Sequence, residues 1–167
     1  MLNTVALLIF PLLMAYAASS DLLTMRISNY LVLGMVVAFA IVAMLSGMPL
    51  DQFGLHFACA AAVLVGAFAF FSFGWIGGGD AKLAAATSLW LGFGLALPYL
   101  VYSALLGGAL TLLILALRRL PLTPFIARFQ WIGRLHEENA GIPYGIALAA
   151  AGLIIYSDTA IFQHFVA

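Results

Sequence analysis

Charge is scarce in this chain: its 167 residues include 6 Lys or Arg and 6 Asp or Glu, only 7% in all. A soluble domain carries about 25% charged and about 45–50% apolar residues. Here the hydrophobic share is 66% and the mean hydropathy +1.18, which excludes a soluble globular enzyme and defines an integral membrane protein. At about 20 apolar residues per helical crossing, the length leaves no room for a sizeable soluble catalytic domain. The formal net charge is zero and no dense Lys/Arg run is present, so nucleic acid is not an expected partner. Cysteine is limited to Cys59, inside an apolar stretch. That excludes a disulfide framework and a thiolate metal cluster and leaves Cys59 as a small packing residue. The histidines are His56, His136 and His164; His136 is expected on the opposite side from the other two. They make no metal site, and Ser19, Ser20 and Ser103 have no histidine at hand for a nucleophilic triad. No cofactor and no metal are expected.

What is abundant is apolar helix. Runs bounded by charges and turn residues predict an all-α bundle of about six transmembrane helices in one unit, residues 1–167, with spans at about 2–18, 29–45, 53–73, 81–96, 98–117 and 142–156. The fourth and fifth spans are separated by little more than Leu97 and Pro98, so a tight hairpin is expected there, with one fused helix as the alternative. The Ala and Gly content of spans three to five suits close helix packing.

All six basic residues fall in alternate loops: Arg26, then Lys82, then Arg118, Arg119, Arg128 and Arg134, whereas the other loops hold Asp51 and Asp158. The positive-inside rule then places both termini outside and Asp21 and Asp80 on the cytoplasmic side. The N-terminal run contains a cleavage-site mimic at Ala15, Tyr16 and Ala17, but no positive charge precedes it, so it is expected to be retained. Between spans five and six, Leu122, Phe125, Ile126, Phe129, Ile132 and Leu135 recur at helical spacing, opposite Gln130, Arg134, Glu137 and Glu138. That pattern predicts an interfacial amphipathic helix over about 122–136.

Two of the acidic residues stand out, Asp21 in SDLLTMRISN and Asp80 in GWIGGGDAK. Carboxylates at the edge of a membrane chain are costly and mark a functional site. An aspartate pair can hydrolyse an amide with no metal or nucleophilic side chain: one ionised carboxylate deprotonates water while a protonated partner donates to the carbonyl or the leaving nitrogen. Two adjacent carboxyls in a low-dielectric site cannot both ionise cheaply, so they divide into acid and base. Gly77, Gly78 and Gly79 allow an extended peptide to approach closely and permit positive φ. Asp80 is placed to cap the fourth helix and is expected to be the more readily ionised of the two. Asp21, at the end of its helix, lacks that help and has Arg26 as its neighbour. Ser28 and Asn29 are expected to cap the second helix, and Lys82 to anchor the topology or tune Asp80. A small carrier or channel subunit with a proton or cation site at Asp21 and Asp80 is the rival reading, and a purely structural subunit a third.

Asp21 followed by Arg26-Ile27-Ser28-Asn29, the run Gly77-Gly78-Gly79-Asp80-Ala81-Lys82, and the late Pro143-Tyr144-Gly145 together resemble the prepilin peptidases, bacterial membrane aspartic proteases with a GxGD signature. The resemblance implies that Asp21 and Asp80 are the catalytic pair, supported by Gly77, Gly78, Gly79 and Lys82. It implies an inner-membrane enzyme whose substrates are type IV or Flp-type prepilin precursors, cut at a short basic leader on the cytoplasmic face. Larger members carry a cytoplasmic insertion with paired CxxC motifs and N-methylate the new terminus. The first loop here is short and without cysteine, which implies a minimal enzyme of the tight-adherence (Flp) branch and leaves methylation open. Ser28 stands where the family often has proline.

Overall fold

The computed structural model describes residues 2–121, 128–137 and 140–166. Among them all regular structure is helical: α1 Leu2–Thr24, α2 Asn29–Leu45, α3 Leu50–Ser72, α4 Gly78–Arg118, α5 Gln130–His136, α6 Gly145–Tyr156 and α7 Ala160–Val166. Asn3–Thr24, Leu50–Ser72 and Gly78–Arg118 are long and apolar enough to cross a membrane. The pair Gly145–Tyr156 and Ala160–Val166, bent by 51°, makes a fourth if counted as one span, and Asn29–Leu45 is a shorter apolar helix.

At about 1.5 Å per residue a straight α4 would be roughly 60 Å long, twice the thickness of a bilayer core. It is not straight. Gly92 takes φ 69 and ψ 176, a conformation open to glycine and strained for other residues, and the helix folds back there. Thr87 and Ser103 both face the Tyr99 hydroxyl, and Asp80 shares a cavity with Thr111 and Arg118; neither is possible along one straight rod. The reversal expected at Leu97 and Pro98 therefore lies at Gly92, with Pro98 inside the second arm. Proline drew attention as the usual helix breaker, but the reversal needed positive φ, which proline cannot adopt.

Breaking a helix strands its last carbonyls, and Leu89 is buried. The Leu89 carbonyl oxygen lies 2.6 Å from Nδ1 of His56 in α3. The His56 ring stacks on Phe39 with centroids 5.2 Å apart and passes so close to Gly92 that a Cβ there would meet it at 3.0 Å. His56 thus serves the bend.

The core is built by α1, α2, the first arm of α4, and α6. Phe10 stacks on Tyr156 at 4.6 Å and lies against Trp90 at 5.2 Å, while Trp90 donates its indole N–H to the Met35 carbonyl at 3.1 Å. In lipid such packing is driven by shape and dispersion, because the surroundings are as apolar as the core. Gly152 supplies the close crossing: a Cβ there would meet Thr87 at 3.1 Å and Met14 and Phe10 at 3.4 Å. Small residues in α3 do less than expected. Its buried residues are Cys59 and Ala67, and Gly54 and Gly66 have nothing within 4 Å of a built Cβ.

Of the amphipathic stretch expected over 122–136, residues 122–127 lie outside the described residues, and the helix seen is Gln130–His136. Arg134, assigned to the polar face, donates instead to the Leu23 carbonyl at the end of α1, 3.0 Å away. Arg118 donates to the carbonyls of Leu135 at 2.7 Å and Ala140 at 2.9 Å, so the stretch from α5 to α6 is tied to the bundle.

Candidate active site

Asp21 lies in the last turn of α1, which continues to Thr24 rather than ending near Ala18. Beyond it Met25 adopts φ 55, its N–H bonding the Asp21 carbonyl at 2.8 Å, and the Ser20 hydroxyl donates to the Arg26 carbonyl at 2.9 Å. These bonds fold residues 25–28 back over the helix end, so that α2 can start at once. Ser28 is its N-cap and accepts the Leu31 N–H at 3.1 Å, as expected. Asn29 is the first helical residue instead, and its side-chain oxygen accepts from the Lys82 ammonium at 3.0 Å.

Asp80 is not the cap of α4. The helix starts at Gly78 with Gly77 as N-cap, which puts Asp80 at the third helical position. From there its carboxylate reaches back to the Gly77 N–H, the acidic half of a capping box. The glycine run is needed for space rather than for positive φ: Gly77 has φ −73. A Cβ on Gly77 would meet Asp80 Oδ2 at 2.8 Å, and one on Gly79 would meet Ile27 at 3.3 Å.

The two aspartates line one cavity of about 1220 Å³ and are close enough for their charges to act on each other. The wall includes Arg26, the glycine run, Thr111 and Arg118 from the second arm of α4, and Tyr144. Lys82 is outside this cavity, fastened to Asn29 at its edge. Arg26 lines the cavity, but the close partner of Asp21 is Gly145, whose N–H donates to Asp21 Oδ2 at 2.7 Å. Asp21 itself is 6% exposed.

Gly145 opens α6, so Asp21, like Asp80, is held at a helix N-terminus, where unpaired N–H groups favour an oxygen acceptor. The premise that only Asp80 has such help is therefore wrong, and with it the reason for ranking the two. The Pro143-Tyr144-Gly145 turn is fixed on its far side as well. The Tyr144 hydroxyl donates to the Ser103 carbonyl at 2.9 Å, and its ring occupies the space that a side chain on Gly107 would need, a built Cβ there overlapping the ring. Sequence reasoning noticed this tripeptide as a likeness and gave it no chemical part. A proline and glycine flanking one residue just before an apolar helix is the signal that could have marked a buried helix start.

A multi-helix membrane protein with two acidic side chains on one broad cavity, each accepting an N–H at a helix start, suits an intramembrane hydrolase or an ion site. Comparison with known families decides between these classes: the type IV leader peptidase family model matches residues 8–112, and the chain belongs to that family. It is a peptidase. No match was found among curated proteins or among solved structures.

Proposed function

We propose that this chain is an aspartic endopeptidase that removes the short basic leader from type IV or Flp-type prepilins at the cytoplasmic face of the inner membrane, with Asp21 and Asp80 as its catalytic residues. The observation that carries the reading is the convergence of both carboxyls on one cavity at one end of the bundle. The short link Met25–Ser28, with no cysteine insertion, supports the minimal Flp-type branch. Six crossings follow if each arm of α4 spans once, α2 spans, and α6 with α7 makes the last. That arrangement keeps both termini outside and Arg26, Lys82, Arg118 and Arg134 inside.

The chemistry divides between the two acids. One carboxylate takes a proton from water while the other, protonated, donates to the scissile carbonyl. The resulting tetrahedral species collapses as a proton passes to the leaving amine. Gly145 and Gly77 each occupy one carboxyl oxygen with a backbone N–H, which leaves the second oxygen of each acid for water and substrate. A substrate helix anchored in the bilayer would bring its junction to this depth, replacing a bimolecular search with local positioning.

Co-expression with a candidate precursor, followed by gel shift and mass of the product, tests the proposal. The native chain is expected to shorten the precursor, and Asp21→Asn and Asp80→Asn each to lose about 10²–10⁴-fold or more, the range for a positioned acid or base. Cleavage that persists in either variant at native rate refutes the pair.

A further inference from the structure

A second concavity lies on the membrane-facing side, between α2 and α3. Val32 and Val36 of α2 face Ala61 and Leu64 of α3 across a floor formed by Ala85 and Leu89 of α4, enclosing about 280 Å³. Its form follows from how the two outer helices diverge. At one end they meet, Phe39 of α2 lying against Phe53 at 5.8 Å and Phe57 at 6.0 Å. Toward the other end they part, and the groove opens at Lys82.

Size and length select the occupant. From Lys82 to Leu89 the floor runs about 10 Å, less than the roughly 15 Å depth of one hydrocarbon leaflet. A helix is about 10–12 Å across with its side chains, far wider than a single acyl chain. The groove is narrow, holding about 280 Å³ between its two outer helices, and the Phe39 cluster closes it within that length. A single acyl chain entering from one leaflet meets both constraints. The Lys82 end adds charge: the ammonium has three donors, one of which is given to Asn29.

We propose that this groove binds one acyl chain of an anionic phospholipid from the leaflet on the Asp21–Asp80 side, with the lipid phosphate against Lys82. The Lys82–Asn29 bond stands between groove and acid cavity, since Asn29 lines the cavity and Lys82 the groove. A phosphate there meets the ammonium before it meets Asp80. The site is independent of which peptide the acids cleave.

Native mass spectrometry of the whole chain, reconstituted with phosphatidylglycerol or with phosphatidylcholine, reads the site without any cleavage assay. One phosphatidylglycerol is expected to be retained about fivefold better than phosphatidylcholine, the worth of one lysine near an anionic surface. Lys82→Gln should erase the preference while a lipid still binds, and Lys82→Arg should keep it. Ala61→Phe, at an exposed position that tolerates bulk, should fill the groove and release both lipids while thermal unfolding stays cooperative. Equal retention of the two lipids by the native chain overturns the proposal, as does unchanged retention by Ala61→Phe. A photo-crosslinker at position 61 that captures a helical peptide instead of lipid overturns it as well.

Discussion

Gly145→Ala is the sharpest probe of how Asp21 is held. The substitution is mild in every other respect: Gly145 is the first residue of α6, it is not among the positions with positive φ, and alanine is the best helix former. The added methyl, however, would lie 2.8 Å from Asp21 Oδ2 and 3.0 Å from its Cβ. Ordinary contact begins near 3.5 Å, so the carboxylate must retreat by about half an ångström or more. Retreat stretches the 2.7 Å bond from the Gly145 N–H, and an ordinary hydrogen bond is worth about 0.5–1.5 kcal/mol. It also displaces the carboxyl, and a misplacement of about 1 Å costs on the order of 10²-fold in rate. The expected result is a chain that inserts and still unfolds cooperatively, at a somewhat lower midpoint, but cleaves precursor about 10²-fold more slowly, with the loss in kcat rather than KM. Gly34→Ala is the control. Nothing lies within 4 Å of its built Cβ, and inside α2 it should leave cleavage unchanged and add about 0.5–1 kcal/mol of stability. Native cleavage by the Gly145→Ala enzyme would refute the idea that this backbone N–H positions the acid.

Two further outcomes follow from the same contacts. His56→Ala removes the partner of the Leu89 carbonyl at the Gly92 bend, leaving a buried acceptor unmade at a cost of about 1–3 kcal/mol; a lower midpoint of thermal unfolding in detergent is the readout. Tyr144→Phe keeps the ring against Gly107 but loses the bond to the Ser103 carbonyl at 2.9 Å. About 0.5–1.5 kcal/mol of stability should go, with a smaller fall in cleavage than for Gly145→Ala; a larger fall would give the hydroxyl a direct part at the acids.

The division between what could be read and what had to be seen follows the range of the interactions. Composition alone settles the membrane class, because transfer of apolar surface is additive and needs no partner. The two costly acids stand out for a similar reason: a charge at a membrane edge is visible against its neighbours in the chain. Local rules also serve where only a few adjacent residues take part, as with Ser28 capping α2. They mislead where two local rules compete. Pro98 looks like the breaker, yet Gly92 is the residue able to take φ 69, and Asp80 looks like a cap until Gly77 takes that place.

The partnerships across the bundle lie beyond any such reading. Asp21 meets Gly145 over 124 residues, His56 meets Leu89 over 33, and Lys82 meets Asn29 over 53. Each depends on how closely two helices approach, which is set by side chains missing at Gly145, Gly92 or Gly79 as much as by those present. That this is a helical membrane protein with acids at 21 and 80 is legible in the chain itself, since hydropathy and charge are properties of single residues and short runs. That both acids accept an N–H from a helix start and face one cavity comes from packing across the bundle, because a helix start becomes a partner for a distant carboxylate only when packing brings it there.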